Sequence, residues 1–237
     1  MTVTLPPAAA ILPSCDDPET ISGVTAAVDD ALAGSPYGVI IAADASPTPA
    51  TRAVFENTPT RARKVALTCR QAGRDSQILE ALPLAPHLAP VLIIDTTTTT
   101  PEPELYRALV RAVEHGGTAV ADHPHPHDED LVTDLLVRPL IAGATGLDVP
   151  TPLSGDLALA PTDAAVVPTV VGRQDSELAD AVKGFGIDPV LLLQTATGER
   201  LLEAGATASV GSVADSYDCQ AFRTGSRKDR VAPAEVV

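Results

Sequence analysis

The chain has 237 residues, 45% of them hydrophobic, and carries 16 basic against 31 acidic side chains, a net charge of −15. Such a length and apolar content bury the core of one large α/β domain, while the negative charge repels phosphate backbones and anionic membrane surfaces, so neither nucleic acid nor membrane is expected as a partner. With no Trp, three Phe and three Tyr, the chain also has few aromatic faces on which bases could stack.

From the amino end, Ala8 to Leu12 reads as a strand, Pro13-Ser14-Cys15-Asp16-Asp17 as a loop, and Ile21, Val24, Val28 and Leu32 as one face of a helix. Asp16 or Asp17 can cap that helix, with Pro18 in its first turn and Glu19 three residues after Asp16, as in a capping box. The unit then repeats. Gly38 to Ala43 is a buried strand, Asp44 to Pro49 a turn and Ala50 to Asn57 a helix. A third strand spans Lys64 to Thr68, Gly73-Arg74-Asp75 leads into a helix ending near Leu82, and Val91 to Asp95 is a fourth strand. Next come a helix from Pro103 to His115, a strand from Thr118 to Asp122, a polar turn from His123 to Asp130 and a helix from Leu131 to Ile141. Continuous apolar strands alternating with amphipathic helices indicate a parallel sheet covered on both faces, with ligands expected at the carboxyl ends of its strands.

Beyond Gly146 the pattern loosens. Pro150 to Asp156 is a loop, Leu157 to Ala160 a strand, Ser176 to Phe185 a helix and Pro189 to Leu193 another strand. One domain over residues 1–204 is expected, followed by a partly disordered tail over 205–237 that carries Arg223, Arg227, Lys228 and Arg230. Met1 to Pro13 lacks the basic residues of a secretory signal, the first being Arg52, and no apolar run approaches the roughly 20 residues of a membrane span. Three cysteines, Cys15, Cys69 and Cys219, cannot all pair, so a cytoplasmic location is expected.

The strand ends, taken in order, resemble the GT-A core of family 2-like glycosyltransferases, above all the glucosyl-3-phosphoglycerate and mannosylglycerate synthases, over roughly Ala8 to Leu202. Where that family has Pro-x-x-Asn-Glu holding the nucleobase, this chain has Pro13-Ser14-Cys15-Asp16-Asp17. Its Asp-Asp-Gly-Ser-Thr-Asp around the nucleoside corresponds to Ala43-Asp44-Ala45-Ser46-Pro47-Thr48. Gly73-Arg74-Asp75 stands for a Gly-Lys-Gly turn near the diphosphate, and Arg74 keeps the positive charge. The metal-binding Asp-x-Asp reads Asp95-Thr96-Thr97, leaving one carboxylate where two would hold Mg²⁺ or Mn²⁺. Val132 to Leu140, with Arg138, is similar to the family helix Val-Thr-Glu-Leu-Leu-Ala-Arg-Pro-Leu. Pro152-Leu153-Ser154-Gly155-Asp156 matches its acceptor loop Pro-Leu-Ala-Gly-Glu, and Glu177 matches a later glutamate. The family's late metal-binding His-x-His has no counterpart, because no histidine follows His127.

The resemblance implies an α/β GT-A fold, transfer of a sugar from a nucleoside diphosphate, and a homodimer. The altered motifs imply a metal bound weakly at Asp95 or not at all. Asp95 and Asp156 are then the candidate catalytic carboxylates, and Pro13, Cys15, Asp17, Asp44, Ser46, Arg74, Thr97, Arg138 and Glu177 line the substrate. Asp44 and Asp95, read as neighbouring strand ends, form a carboxylate pair or two loop caps. The run His123-Pro124-His125-Pro126-His127 puts three imidazoles on one side of an extended segment. Rings about 7 Å apart along a stiff strand would not converge on one Zn²⁺, so a solvated loop or ligand contact without metal fits better, with His125 as a candidate acid or base. Cys15 and Cys69 read as small buried residues, with Cys15 as nucleophile the alternative. Two further readings are open. One is a metal-free lyase, cyclase or isomerase of specialised metabolism on the same scaffold; the other is a catalytically silent homologue that binds a ligand or partner.

Overall fold

The computed structural model describes residues 8–35, 37–114, 116–122, 131–146, 148–172, 187–188, 190–192, 205–210 and 218–226. Ala9–Ser14 (β1) and Val39–Asp44 (β2) are buried at every position, as expected of runs that are apolar on both faces of a covered sheet. Arg63–Thr68 (β3) pairs on one side only, with β2, and is half exposed. Its Lys64 reaches back to the carbonyls of Phe55, Glu56 and Thr58, closing the end of the helix Ala50–Asn57 (α2). With Val91–Ile93 (β4), Thr118–Asp122 (β5) and Leu157–Leu159 (β6), these strands form a core sheet ordered β3-β2-β1-β4-β6-β5. The first four in that order are mutually parallel, and β6 runs antiparallel between β4 and β5. This is a mixed, mostly parallel α/β sheet.

Alternation along the strands divides the core into two layers. Ala10, Leu12, Ile40, Ala42, Leu92 and Ile94 face Ile21–Ala31 (α1), α2 and Pro103–Ala112 (α4). Ala9, Ile11, Val39, Ile41, Val91 and Ile93 face Arg74–Ala81 (α3), Arg138–Thr145 (α5) and Pro161–Gly172 (α6). Both layers leave the carboxyl ends of β1, β2 and β4 together at one edge.

Two sequence expectations are corrected. Where a strand was expected over 189–193, the described residues 187–188 and 190–192 are helical. A short apolar run does not distinguish the two by period. The helix α6 was not expected, because Pro161 and Pro168 bracket much of it. Asp163 in its first turn accepts from Gly117 N at 2.9 Å and fixes it beside β5. Among the described residues beyond 204, Gly205–Val210 (β7) and Asp218–Ser226 (β8) pair antiparallel and extend the sheet to eight strands alongside β5.

The helix expected from Leu131 to Ile141 is present and interrupted by a π-turn over Thr133–Val137. Pro139 lies just after it and has no N–H to continue the α-helical ladder.

Candidate functional site at the strand ends

The loop after β1 is held by its neighbours rather than by helix capping. Asp17 does not cap α1, whose N-cap is Thr20 without a side-chain bond. Its Oδ2 instead accepts from Cys15 N at 2.9 Å and from Thr96 Oγ1 at 2.8 Å. Asp16 is left-handed, with φ 65°, and its N–H donates to Ser46 Oγ at 2.8 Å. Asp44, buried at the end of β2, accepts through Oδ1 from Ser14 Oγ, Ser46 N and Ser46 Oγ. Beneath them, buried Gln77 on α3 donates from Nε2 to Ser14 O at 2.7 Å and Ala43 O at 2.6 Å, stitching the ends of β1 and β2.

Asp44 and Asp95 are not neighbours, since β1 lies between β2 and β4. The partner of Asp95 is Asp156: the N–H of Asp95 donates to Asp156 Oδ1 at 2.8 Å. Asp156 is 1% exposed and supports the end of β4 through this bond. Its neighbour Gly155 has φ +81°, a left-handed backbone that favours glycine, and a Cβ there would crowd Asp95 Cβ at 3.3 Å. Thr97 donates both its N–H, at 2.9 Å, and its hydroxyl, at 2.8 Å, to Asp95 Oδ1. Under this edge the phenol of buried Tyr106 is pushed well up, by burial first and then by the charges of Asp156 and Asp95.

Arg74, the first residue of α3, enters the same edge from the other side. Its Nη2 donates to Gly155 O at 2.7 Å, and its Nη1 lies 2.9 and 3.0 Å from the two carboxylate oxygens of Asp188. Asp75 beside it accepts from Ile187 N at 2.9 Å. Burial raises the Asp188 carboxyl, and Arg74 opposes that shift; burial lowers the Arg74 guanidinium, and Asp188, Asp75 and Asp95 together raise it on balance.

The residues present do not fit a tightly held divalent cation. Asp95 Oδ1 already accepts two hydrogen bonds from Thr97, whose side chain offers a hydroxyl and no carboxylate. Among the described residues no group of three His, Cys, Asp or Glu is arranged to hold a metal ion.

Of the residues expected at the site, Pro13, Cys15, Asp17, Asp44, Ser46, Arg74, Asp95, Thr97 and Asp156 belong to this one connected edge. Cys15 is exposed rather than buried, while Cys69 is buried. Arg138 pairs through Nε and Nη2 with Asp148, holding that carboxyl below its usual range, and lines a hollow with Asp134, Pro139 and Ala142. His125, with the rest of the histidine run, and Glu177 lie outside the described residues. Sequence reasoning missed Gln77, Thr96 and Asp188. A polar residue on the buried face of α3 was a usable signal for Gln77; Asp188 lies 114 positions from Arg74, beyond any local pattern.

No family model matches the chain, and no curated protein matches it. Among solved structures it resembles glucosyl-3-phosphoglycerate synthase of Mycobacterium tuberculosis, with a TM-score of 0.57 and 21% identity over 84% of this chain and 69% of that one. The same synthase in complex with Mn²⁺, UDP-glucose and glycerol 3-phosphate gives a TM-score of 0.59 and 22% identity, covering 82% of this chain and 66% of that one. A further mycobacterial protein gives 0.53 and 18% identity over 93% and 84%. The chain spans about two thirds of the length of the synthase, and at such identities the likeness speaks for architecture alone. By that likeness the chain has the GT-A fold, a mixed, mostly parallel sheet flanked by helices.

Proposed function

We propose that the chain is a glycosyltransferase-like enzyme that takes a sugar from a nucleoside diphosphate, or acts on a phosphorylated small molecule, with little or no dependence on a divalent metal. The carrying observation is the connected edge itself: Asp17, Asp44, Ser46, Arg74 and Asp95 meet at the ends of β1, β2 and β4 and the start of α3, in a fold whose solved neighbours include a complex with UDP-glucose. In this reading the Pro13 to Asp17 loop and Asp44 with Ser46 border the nucleoside, Arg74 supplies positive charge for the diphosphate, and Asp95 orients the sugar. Asp156 is a positioning residue that sets the end of β4. Catalysis then comes from orientation and preorganised charge.

Thermal-shift titration against UDP, GDP and their sugar conjugates, each with Mn²⁺, Mg²⁺ and EDTA, tests this reading. Saturable stabilisation by one nucleotide is the expected result; no shift from any of them overturns it. A second reading, a metal-free lyase, cyclase or isomerase, is favoured by one observation, that the charge of Arg74 is already met by Asp188. It predicts indifference to every nucleotide.

The net charge of −15 argues against nucleic-acid or anionic-membrane partners, and no helix among the described residues is long and apolar enough to cross a membrane. The free thiols Cys15 and Cys69 support a reducing compartment, the cytoplasm. Leu131, Val132, Leu135, Leu136 and Leu140 are all more than half exposed around the π-turn, and this apolar surface supports a homodimer. Light scattering across a concentration series is expected to give twice the monomer mass; a monomer throughout rejects it.

A further inference from the structure

The guanidinium of Arg74 is unevenly satisfied. Nη1 makes both contacts to Asp188, Nη2 is taken by Gly155 O, and Nε is buried with no acceptor. A carboxylate held by a single nitrogen does not use the parallel Nε and Nη donors that make arginine pairs strong. A phosphate group carries more acceptor oxygens and could engage the orphaned Nε as well as Nη1.

Asp188 is 7% exposed, and among the described residues it faces the negative charges of Asp95 from the end of β4 and Asp156 from the turn before β6 against the cation Arg74, which also meets Asp75 of α3. Two polar contacts from consecutive residues of α3 hold its segment: Arg74 to Asp188 and Asp75 to Ile187 N. Ile187, Leu191 and Leu192 add apolar packing.

We propose that Asp188 is the specificity-determining residue of this cleft, its carboxylate filling the phosphate seat on Arg74, so that a diphosphate ligand enters only by displacing it. The role assigned to the ligand rests on the nucleotide reading above; the seat itself does not. Displacement exchanges one anion for another on Arg74, satisfies Nε, and releases residues 187–188 and 190–192 from one of their two polar ties to α3. A ligand without a phosphate leaves Asp188 in place.

The test uses the full chain and inorganic pyrophosphate as probe. In calorimetric titration D188N is expected to bind pyrophosphate about tenfold or more tighter than the unaltered chain, and R74A in the D188N background to lose that gain. Equal binding by D188N and the unaltered chain overturns the proposal. Should D188N fail to fold, hydrogen exchange on the unaltered chain decides: saturating pyrophosphate is expected to speed exchange at the amides of residues 187–188 and 190–192, and unchanged exchange there refutes displacement. Repeating the titration with UDP separates the two claims. Pyrophosphate binding gated by Asp188 without nucleotide binding sinks the nucleotide reading and keeps the seat; nucleotide binding that ignores D188N and leaves those amides untouched does the reverse.

Discussion

Thr96 and Asp17 lock the end of β4 to the loop after β1: the Thr96 hydroxyl, 1% exposed as a residue, lies 2.7 Å from Pro13 O and 2.8 Å from Asp17 Oδ2. A hydroxyl has one proton, so it donates to one acceptor at a time while Asp17 keeps a second donor in Cys15 N. Thr96 is therefore a structural pin between the two loops expected to border the ligand.

T96V keeps the shape and deletes the hydroxyl, leaving buried acceptors short of a donor. Unfolding in urea is expected to show a loss of about 1–3 kcal/mol, and T96S to recover most of it. A T96V protein as stable as the original would show that the pin carries no weight.

Gln77 is the only described side chain bonded to the carbonyls of both Ser14 and Ala43. Q77L is expected to cost roughly 1–3 kcal/mol, because two buried carbonyls each lose a donor at once, Ser14 O keeping Ala45 N. It should also loosen the loop holding Cys15, seen as faster modification of that exposed thiol. Unchanged stability would mean that the strand ends hold their spacing without it.

Thr97 gives both its donors to Asp95 Oδ1, and restoring a carboxylate there reverses the sense of that contact. T97D is expected to be less stable than the unaltered chain in EDTA, through like-charge repulsion, and to be stabilised by Mn²⁺ at concentrations about tenfold or more lower. A Mn²⁺ response identical in both proteins would show that this position does not limit metal binding.

Burial, with the charges of Glu80 and Asp44, pushes the Cys69 thiol from 9.0 up to about 11. Because the folded state holds its proton more tightly than the unfolded chain, this contribution is constant below about pH 9 and declines as pH rises toward 11. Iodoacetamide at pH 8 followed by peptide mass spectrometry should find Cys15 modified well before Cys69. Early modification of Cys69 would contradict its burial.

The sequence by itself determined the succession of elements through β5 and the face each helix buries, because apolar period and turn residues are local properties. Ala50–Asn57 and Thr118–Asp122 appear with the limits expected of them. It also determined which strand ends carry polar side chains, since Asp44, Arg74 and Asp95 each follow an apolar run or a glycine turn. Tertiary structure alone decided how those residues are used. Strand order separates Asp44 from Asp95 by placing β1 between them. The antiparallel insertion of β6 brings Asp156 under Asp95, 61 positions away, and the packing of residues 187–192 gives Arg74 a partner 114 positions distant. Such pairings depend on where whole elements dock, and docking is set by the summed burial of two core layers rather than by the few residues on either side of a motif.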